Sequence, residues 1–229
     1  MIPKKIETKG IILGLDCSGE SFSVAICQGE ECLAQCGGFS PRSHLRRFFP
    51  ALRDNLEVVG ASFKDVEAVA VTVGPGSFTG LRLGVVTART IAQVTGAKLL
   101  GINTLEALAM AYPGVKSLAV GLDARRGEIF GAFFDTSAGT SRRLTEDKAY
   151  KPEEFALAMQ ELNCTLAVGS GAGRYAESFP GTVVVPSASS QVRGDCVALL
   201  GFRDLREGKV IEPLALLPQY LRSAEIMVS

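Results

Sequence analysis

The residues best suited to chemistry begin at Gly74-Pro75-Gly76-Ser77, a loop that leads into the helix-like run FTGLRLGVVTARTIAQV. Glycines permit a tight turn, and the N–H groups at a helix start attract anions such as phosphate. The loop matches neither G-x-x-x-x-G-K-[ST] nor G-x-G-x-x-G, the two standard phosphate-binding patterns. On the residues alone, a strand-to-helix turn with Thr79 as the helix N-cap is favoured over a phosphate cradle.

Two aspartates follow predicted strands: Asp16 in GLDCSGE and Asp123 in GLDARRGE. A carboxylate in such a position, with Ser18 beside it in the first case, could hold a metal-bound water near phosphate groups. An aspartate that hydrogen-bonds the backbone of its own turn explains the pattern at least as well. If the two parts of the chain fold alike, the two carboxylates face a common cleft. Both interpretations stay open from the sequence.

Histidine-dependent catalysis has little support, because the only histidine is His44, in a predicted amphipathic helix. A Ser-His or Cys-His pair would need that residue, and the zinc-peptidase pattern H-E-x-x-H is absent.

No C-x-x-C pair occurs among the six cysteines, which are Cys17, Cys27, Cys32, Cys36, Cys164 and Cys196. We interpret them as small apolar residues in a reducing compartment, and no zinc cluster is predicted.

Composition limits the classes of partner. Lysine plus arginine equals aspartate plus glutamate at 24 each, so bulk charge gives no reason to expect direct binding of nucleic acid or membranes. The stretch MIPKKIETKG is not typical of a secretory signal, and no apolar run is long enough to span a bilayer. A chain of 229 residues can bury one large core or two smaller ones. We therefore expect no membrane partner and a cytoplasmic location.

Periodicity and turn signals predict the elements that position these residues. The runs GIILGLDC, SFSVAICQ and ECLAQCGG are joined by tight polar or glycine turns, which predicts an antiparallel meander. A helix is predicted at 43–56, with Ser43 as its cap and a kink at Pro50. The strand VEAVAVTVG, a helix at 79–94, the strand KLLGI and the helix TLEALAMAY follow. We predict a mixed sheet covered by helices.

The chain restarts after Tyr112-Pro113-Gly114, which predicts a lobe of residues 1–112 and a smaller, degenerate lobe of residues 113–229. The strands predicted for the second lobe are SLAVGLDA, GEIFGAFFD, a short one near 141–145, TLAVG and TVVVP. Its predicted helices lie at 152–162, from Gly171 onwards and at 192–207. The second lobe weakly resembles the first, and an internal duplication is left open.

The helix at 79–94 has apolar residues on two sides, which is unusual for a helix on a domain surface. Gly80, Gly84, Ala88 and Ala92 form one side and permit close backbone approach. The other side also carries apolar residues, so it needs a second covering partner. Packing against the 43–56 helix is one answer, and an interface with another protein is favoured over it. The predicted interface residues are Leu45, Phe48, Phe49, Leu52, Arg82, Leu83, Val86 and Arg89.

Several segments together resemble the TsaB family, whose older description is glycoprotease-like. They are GLDCSGESFSVAI, VTVGPGSFTGLRLGVVTARTIA, GINTLEALA, LDARRGEIF, VGSGA and PQYLR, and they follow the family's order along essentially the whole chain. GPGSFTGLR and DARRGE are specific in combination, whereas VGSGA is weak alone. Cys17 departs from the pattern, since the family usually has alanine or a small hydroxyl residue there.

The resemblance implies an α/β fold of the actin-like, Hsp70-like and sugar-kinase-like (ASKHA) type, two-lobed, with mixed sheets flanked by helices. It implies a non-catalytic role in making threonylcarbamoyladenosine next to the anticodon of ANN-decoding tRNAs. The implied partners are the catalytic subunit TsaD, the small ATPase TsaE and, without TsaD, a second copy of this chain. The tRNA is then reached indirectly, through the complex.

The resemblance also implies that this chain lacks the metal-binding histidines of TsaD. In TsaD, the segment that matches GINTLEALA carries two metal-binding histidines four residues apart, and here those positions are Thr104 and Leu108. Leucine offers a cation no lone pair, so no metal site and no catalytic residue are expected. No intrinsic cofactor is expected either, and nucleotide binding at the junction with the partner is left open. The degenerate phosphate-loop candidates are Asp16, Ser18, Gly76, Ser77 and Asp123.

Two other functions stay in view. An ATP-dependent kinase or hydrolase of the same fold, acting on its own, would use Asp16 and Asp123. Tight binding of ATP and magnesium, lost in Asp16→Ala, would support that enzyme. A peptidase, suggested by the family's older description, is the weakest alternative because His44 stands alone.

Overall fold

The computed structural model describes residues 10–39 and 44–221, with side chains from Arg46 onward in the second stretch. The predicted Ser43 cap and the side chains of His44 and Leu45 lie outside the described part. Two compact units are present. The first consists of the described residues up to Val73 with residues 77–103 and 192–218, and the second of residues 74–76, 104–191 and 219–221. Among the described residues, no helix is both long and apolar enough to cross a membrane.

Eleven β-strands and six α-helices make up the described chain. In chain order they are β1 (Ile11–Asp16), β2 (Ser21–Gln28), β3 (Glu31–Phe39), α1 (His44–Val58), β4 (Val66–Gly74), α2 (Phe78–Thr95), β5 (Lys98–Asn103), α3 (Thr104–Ala109), β6 (Leu118–Arg125), β7 (Glu128–Asp135), β8 (Arg142–Arg143), β9 (Lys148–Tyr150), α4 (Pro152–Glu161), β10 (Leu166–Val168), α5 (Ser170–Arg174), β11 (Val183–Val184) and α6 (Gly194–Arg206). The predicted order of the first lobe is confirmed, and α1 includes Pro50 as an internal residue. β9 was not predicted, because the segment EDKAYK lacks the apolar run that marks the equally short β10 and β11.

The first unit is built on a five-stranded sheet in the order β3-β2-β1-β4-β5. β1, β2 and β3 pair antiparallel, which confirms the predicted meander, and β4 runs parallel to β1. Leu13 and Leu15 point to one face of this sheet and form a core with α1 and α2. Side chains alternate along a strand, so Gly14 lies on the opposite face, which α6 covers. A Cβ on Gly14 would lie 1.9 Å from the Gly194 carbonyl oxygen.

The second unit is built on a six-stranded sheet in which β11-β10-β6-β7-β8 are successive neighbours and β9 pairs with β7. β6 and β7 are antiparallel, and β10 is parallel to β6. This order matches the order β5-β4-β1-β2-β3 of the first sheet strand for strand. The repeat that the sequence left open is therefore present in the topology. The core of this unit is aromatic, with Phe133 and Phe155 stacked at a centroid distance of 5.2 Å.

The two units differ from the lobes of residues 1–112 and 113–229 that the sequence indicated. α3 belongs to the second unit, and α6, which was expected to close the second lobe, belongs to the first. α6 packs on β1 and β2, and its Gly194 N–H donates to Ser23 Oγ at 2.8 Å. Local sequence patterns cannot show that a segment so distant in the chain returns to the first sheet.

Candidate partner interface

Helix α2 begins one residue earlier than predicted, and Ser77 rather than Thr79 is its N-cap. Ser77 has an extended backbone conformation, and its Oγ accepts a hydrogen bond from the Gly80 N–H at 3.3 Å. Thr79 lies within the first turn, where a residue has helical geometry and cannot be the N-cap. Ser77 also donates its N–H to the Ser18 carbonyl oxygen at 2.7 Å. The start of α2 is therefore tied to the turn that follows β1.

The side of α2 that carries small residues packs on the sheet of its own unit. A Cβ on Gly80 would lie 1.9 Å from the Cys17 carbonyl oxygen, and one on Gly84 would lie 3.3 Å from a Val71 methyl group. Ala88 and Ala92 are buried further along the same side. The predicted close approach is confirmed, and it serves the core of the first unit.

The opposite side of α2 is exposed and largely apolar, and we call it the outer face. Val86 is 59% and Val94 is 81% exposed. Phe78 is partly exposed, and the Arg82 guanidinium lies over its ring, 3.8 Å from the ring centroid. The outer face is made of every fourth residue of the helix, namely Phe78, Arg82, Val86, Thr90 and Val94.

The other two α2 residues predicted for the interface lie at the margins of the outer face. Leu83 and Arg89 are half-buried. Leu83 packs against the core of the first unit, so only part of its side chain can contact a partner. Arg82 and Val86 are the predicted α2 residues that are fully on the surface.

In α1, the predicted interface residues Phe48 and Leu52 are core residues instead. They are 1% and 0% exposed, and the Phe48 ring packs edge-on against Phe22 with a centroid distance of 6.0 Å. The prediction is corrected at both positions, because these side chains are already buried against β2 and the neighbouring core. Phe49 is 52% exposed and stacks on Phe63 with a centroid distance of 6.0 Å.

An open cavity of about 390 Å³ lies beside Phe63, where α1 ends. Leu56 and Ala61 contribute apolar surface to it, and the exposed side chains of Arg53 and Glu57 contribute charge. The apolar surface of Phe49 and Phe63 therefore continues into a concave site. The sequence did not predict this cavity, because its lining comes from the end of α1 and the irregular segment that follows.

Asp16, at the end of β1, is 2% exposed, and its carboxylate is engaged within the first unit. Its Oδ1 accepts hydrogen bonds from Thr72 Oγ1 at 2.7 Å and from the Ser18 N–H at 3.1 Å. Burial raises the pKa of Asp16, and these hydrogen bonds partly oppose the rise. Hydrogen bonds link Asp16 to Ser18 and Ser18 to Ser77, so these three phosphate-loop candidates lie in adjacent turns. Thr72 was missed, although a lone hydroxyl in the buried run AVAVTVG is a usable signal.

Asp123, at the end of β6, holds its own hairpin together in the second unit. Its Oδ1 accepts the Arg125 N–H at 2.9 Å, and its Oδ2 lies 3.6 Å from the guanidinium of Arg125 and 3.6 Å from that of Arg174. Its own N–H donates to Ser170 Oγ at 3.1 Å. These bonds match the simpler interpretation of an aspartate that fixes its own turn. Gly76, the remaining phosphate-loop candidate, is half-buried and belongs to the second unit.

The two positions that correspond to metal-binding histidines lie in α3 and are fully buried. Thr104 and Leu108 are each 0% exposed. Thr104 Oγ1 has no hydrogen-bond partner among the described residues. Leu108 packs close to Gly169, since a Cβ on Gly169 would lie 3.2 Å from Leu108 Cδ2. Within the described part of the chain, no group of three or more His, Cys, Asp or Glu side chains is arranged to hold a metal ion.

Helix α2 lies within a segment that matches a known family, and the Asp16 turn lies just before that segment. The family model described as "TsaD: tRNA N6-adenosine threonylcarbamoyltransferase" matches residues 23–185. A relative from Escherichia coli (strain K12), named "tRNA threonylcarbamoyladenosine biosynthesis protein TsaB", is 29% identical over 225 residues, which cover 93% of this chain and 94% of the relative. The chain belongs to the TsaD family, as a TsaB member.

Solved structures extend the TsaB match to three dimensions. A Pseudomonas aeruginosa protein, described as uncharacterized with similarity to peptidase YeaZ, gives a TM-score of 0.82 at 29% identity, covering 93% of this chain and 100% of that chain. Component A of the (R)-2-hydroxyglutaryl-CoA dehydratase of Acidaminococcus fermentans shares the fold alone, with a TM-score of 0.50 at 12% identity over 86% of this chain and 99% of its own. The predicted α/β fold of the ASKHA type, with mixed sheets and flanking helices, is confirmed.

Proposed function

We propose that this TsaB family chain is a non-catalytic subunit in making threonylcarbamoyladenosine next to the anticodon of ANN-decoding tRNAs. In this role it binds and activates the transferase TsaD and helps recruit the ATPase TsaE. The name of the Escherichia coli relative supports the pathway. The observation that carries the proposal is the exposed apolar outer face of α2. The candidate catalytic residues Asp16 and Asp123 are hydrogen-bonded to other residues of the same chain.

The surroundings of Leu108 and Asp16 support the non-catalytic part of the proposal. Leu108 is buried and has no lone pair for a metal ion. The Asp16 carboxylate is 2% exposed and bonded to Thr72 and Ser18, so a nucleotide could contact it only if the residues that bury it moved. We therefore propose that this chain has no cofactor of its own, and that a nucleotide would bind only at the junction with TsaD.

The outer face has the composition of the centre of a protein interface. Interface centres are poor in charge and rich in aromatic residues and arginine, and the outer face combines Phe78, Val86 and Val94 with Arg82. Exposed valines two turns apart on one helix form a surface that gains free energy when it is covered. We propose that TsaD helices cover this face. In the absence of TsaD, the same face of a second copy covers it, which gives a symmetric homodimer.

Val86→Glu tests directly whether the outer face of α2 binds TsaD. It places a carboxylate at the centre of the apolar stripe, and covering that charge without a partner is unfavourable. We expect affinity for TsaD to fall by about 30-fold or more, the loss typical of an interface hot spot. The homodimer should also dissociate at concentrations where the wild type is dimeric. Size-exclusion chromatography and titration calorimetry with purified TsaD measure both effects.

Leu157→Glu is the matched control, because Leu157 lies on α4 and is 60% exposed, close to the value of Val86. This variant should bind TsaD as the wild type does. Thermal unfolding of both variants checks that the fold survives, which is expected because both sites are on the surface. The proposal that the outer face binds TsaD is rejected if Val86→Glu elutes with TsaD as completely as Leu157→Glu does.

A further inference from the structure

The β2–β3 hairpin places two cysteines directly opposite each other. Gln28 pairs with Glu31 at the end of the hairpin, and Cys27 pairs with Cys32 one step further in. In a two-residue hairpin the pair beside the turn exchanges backbone hydrogen bonds, so the next pair is a non-hydrogen-bonded one. Such pairs bring Cα atoms to about 4.5 Å, within the range of about 4.4–6.8 Å that disulfides require.

The two thiols interact and differ in their access to solvent. The side chains of Cys27 and Cys32 share one face of the hairpin and lie close enough to affect each other's pKa. Cys27 is 3% exposed, whereas Cys32 lies on the exposed edge strand β3. A solvent-borne reagent can therefore reach Cys32 first, and Cys27 is placed to react with a neighbouring protein sulfur rather than with a reagent in solution.

The neighbouring cysteines are arranged differently. Cys36 lies opposite Val24 in the register, and its Sγ accepts a hydrogen bond from Asn55 Nδ2 at 2.7 Å. Cys196 is buried in the first turn of α6, near enough to interact electrostatically with both thiols of the pair. Cys196 is thus the one competitor for Cys27 that the described residues offer, and the test must separate the two.

We propose that Cys27 and Cys32 form a modification site, a reversible cross-strand disulfide made by exchange with a low-molecular-weight disulfide such as glutathione disulfide. The Cys32 thiolate attacks one sulfur of the small disulfide, its S–S bond breaks, and the first glutathione thiolate leaves and takes up a proton. The Cys27 thiolate then attacks the Cys32 sulfur and displaces the second glutathione. Two protein thiols lose two electrons and two protons, and the small disulfide becomes two thiols.

The rate of this reaction should depend steeply on pH. Partial burial raises the pKa of Cys32 and the Asp195 carboxylate adds to the rise, whereas the neighbouring Cys27 thiol and the Arg193 guanidinium oppose it. Burial also raises the pKa of Cys27. Only the thiolate attacks, so while the pH lies below the pKa the reactive fraction grows about tenfold per pH unit. The site should therefore oxidise slowly at neutral pH and faster in mildly alkaline buffer.

The test exposes the full chain to glutathione disulfide at several pH values, then alkylates the remaining thiols in denaturant, where buried cysteines also react, and maps peptides by mass spectrometry. We expect Cys27 and Cys32 to become resistant to alkylation together, at a rate that rises about tenfold for each unit of pH. A reducing agent should restore the alkylation of both cysteines. Cys27→Ala should leave a stable glutathione adduct on Cys32, and Cys32→Ser should leave Cys27 reduced. Cys36→Ser should behave as the wild type.

Three results would overturn the proposal. One is full alkylation of both cysteines in the wild type after prolonged exposure at alkaline pH, which needs no variant to fold. Another is a crosslink between Cys27 and Cys196. The last is loss of the Cys27–Cys32 crosslink in Cys196→Ser, which would make Cys196 an obligatory intermediate. None of these results depends on whether the chain binds TsaD.

Discussion

Burying the Asp16 carboxylate is unfavourable by itself, because an ionised group loses its hydration inside a protein. That loss raises the pKa of Asp16, and the hydrogen bonds from Ser18 and Thr72 only partly oppose the rise. The Thr72 hydroxyl and the Ser18 N–H both donate to the same oxygen, Oδ1. An asparagine could accept the same two bonds without carrying a charge.

Asp16→Asn should therefore reduce the dependence of stability on pH. The folded-state pKa of Asp16 lies above the unfolded value of about 3.9, so the folded state holds the proton more firmly. The free energy of unfolding then falls as the pH rises from about 4 through the folded-state pKa, by at most about 1.4 kcal/mol per pH unit for this group. Urea unfolding from roughly pH 4 to pH 8 should show the wild type losing stability relative to Asp16→Asn.

Asp54→Asn is the control for this comparison. Asp54 is 59% exposed on α1 and pairs with Arg53 at 2.8 Å, a surface pair of small energetic weight. This variant should follow the wild type across the pH range. If Asp16→Asn also follows it, the Asp16 carboxylate is solvated rather than enclosed. That outcome would restore the ATP-dependent kinase or hydrolase as a serious alternative.

Adjacent phenylalanines have opposite roles in helix α1. Phe48 shares the buried side of the helix with Leu52 and Leu56, whereas Phe49 is about 100° further around and half-exposed. Phe48→Ala should lower the free energy of unfolding by about 3–5 kcal/mol, because it leaves a cavity. Phe49→Ala should lower it by about 1 kcal/mol, the value of its stack on Phe63. Urea unfolding measures both, and similar large losses would place both rings in the core.

Apart from β9, the helices and strands could be predicted from the sequence, whereas the faces of the helices could be predicted only in part. Gly80 and Gly84 indicated a close approach, because few residues other than glycine and alanine allow one. Phe48 and Phe49 could not be told apart, since both are large and apolar and the pattern does not say which side meets the sheet. Ser77 and Thr79 are both good N-caps, and the bond from Ser77 to Ser18, across the fold, favours Ser77.

The two units repeat one strand order, yet the chain closes the first unit with a segment from near its end. α1 and α2 cover one face of the first sheet, and α6 covers the other. The approach is close: a Cβ on Gly201 would lie 2.4 Å from the Ala70 Cβ. A boundary at residue 112 follows from the turn at Tyr112-Pro113-Gly114. A first lobe drawn from that turn leaves out α6, because the contact between Gly14 and Gly194 has no local signature in the sequence.

A chain ending at residue 191 tests this division of the molecule. Without α6, the face of the first sheet that carries Ile12, Ala25 and Ala70 loses its cover. We expect this chain to bind the dye ANS and to lose the cooperative unfolding of the first unit, as followed by far-ultraviolet circular dichroism. All four tyrosines lie in the second unit, and the truncated chain keeps three of them, so tyrosine fluorescence reports separately on that unit. A peptide of residues 192–229 added in trans should remove the ANS signal and restore the transition. A truncated chain that unfolds like the full-length protein without the peptide would instead support the boundary at residue 112.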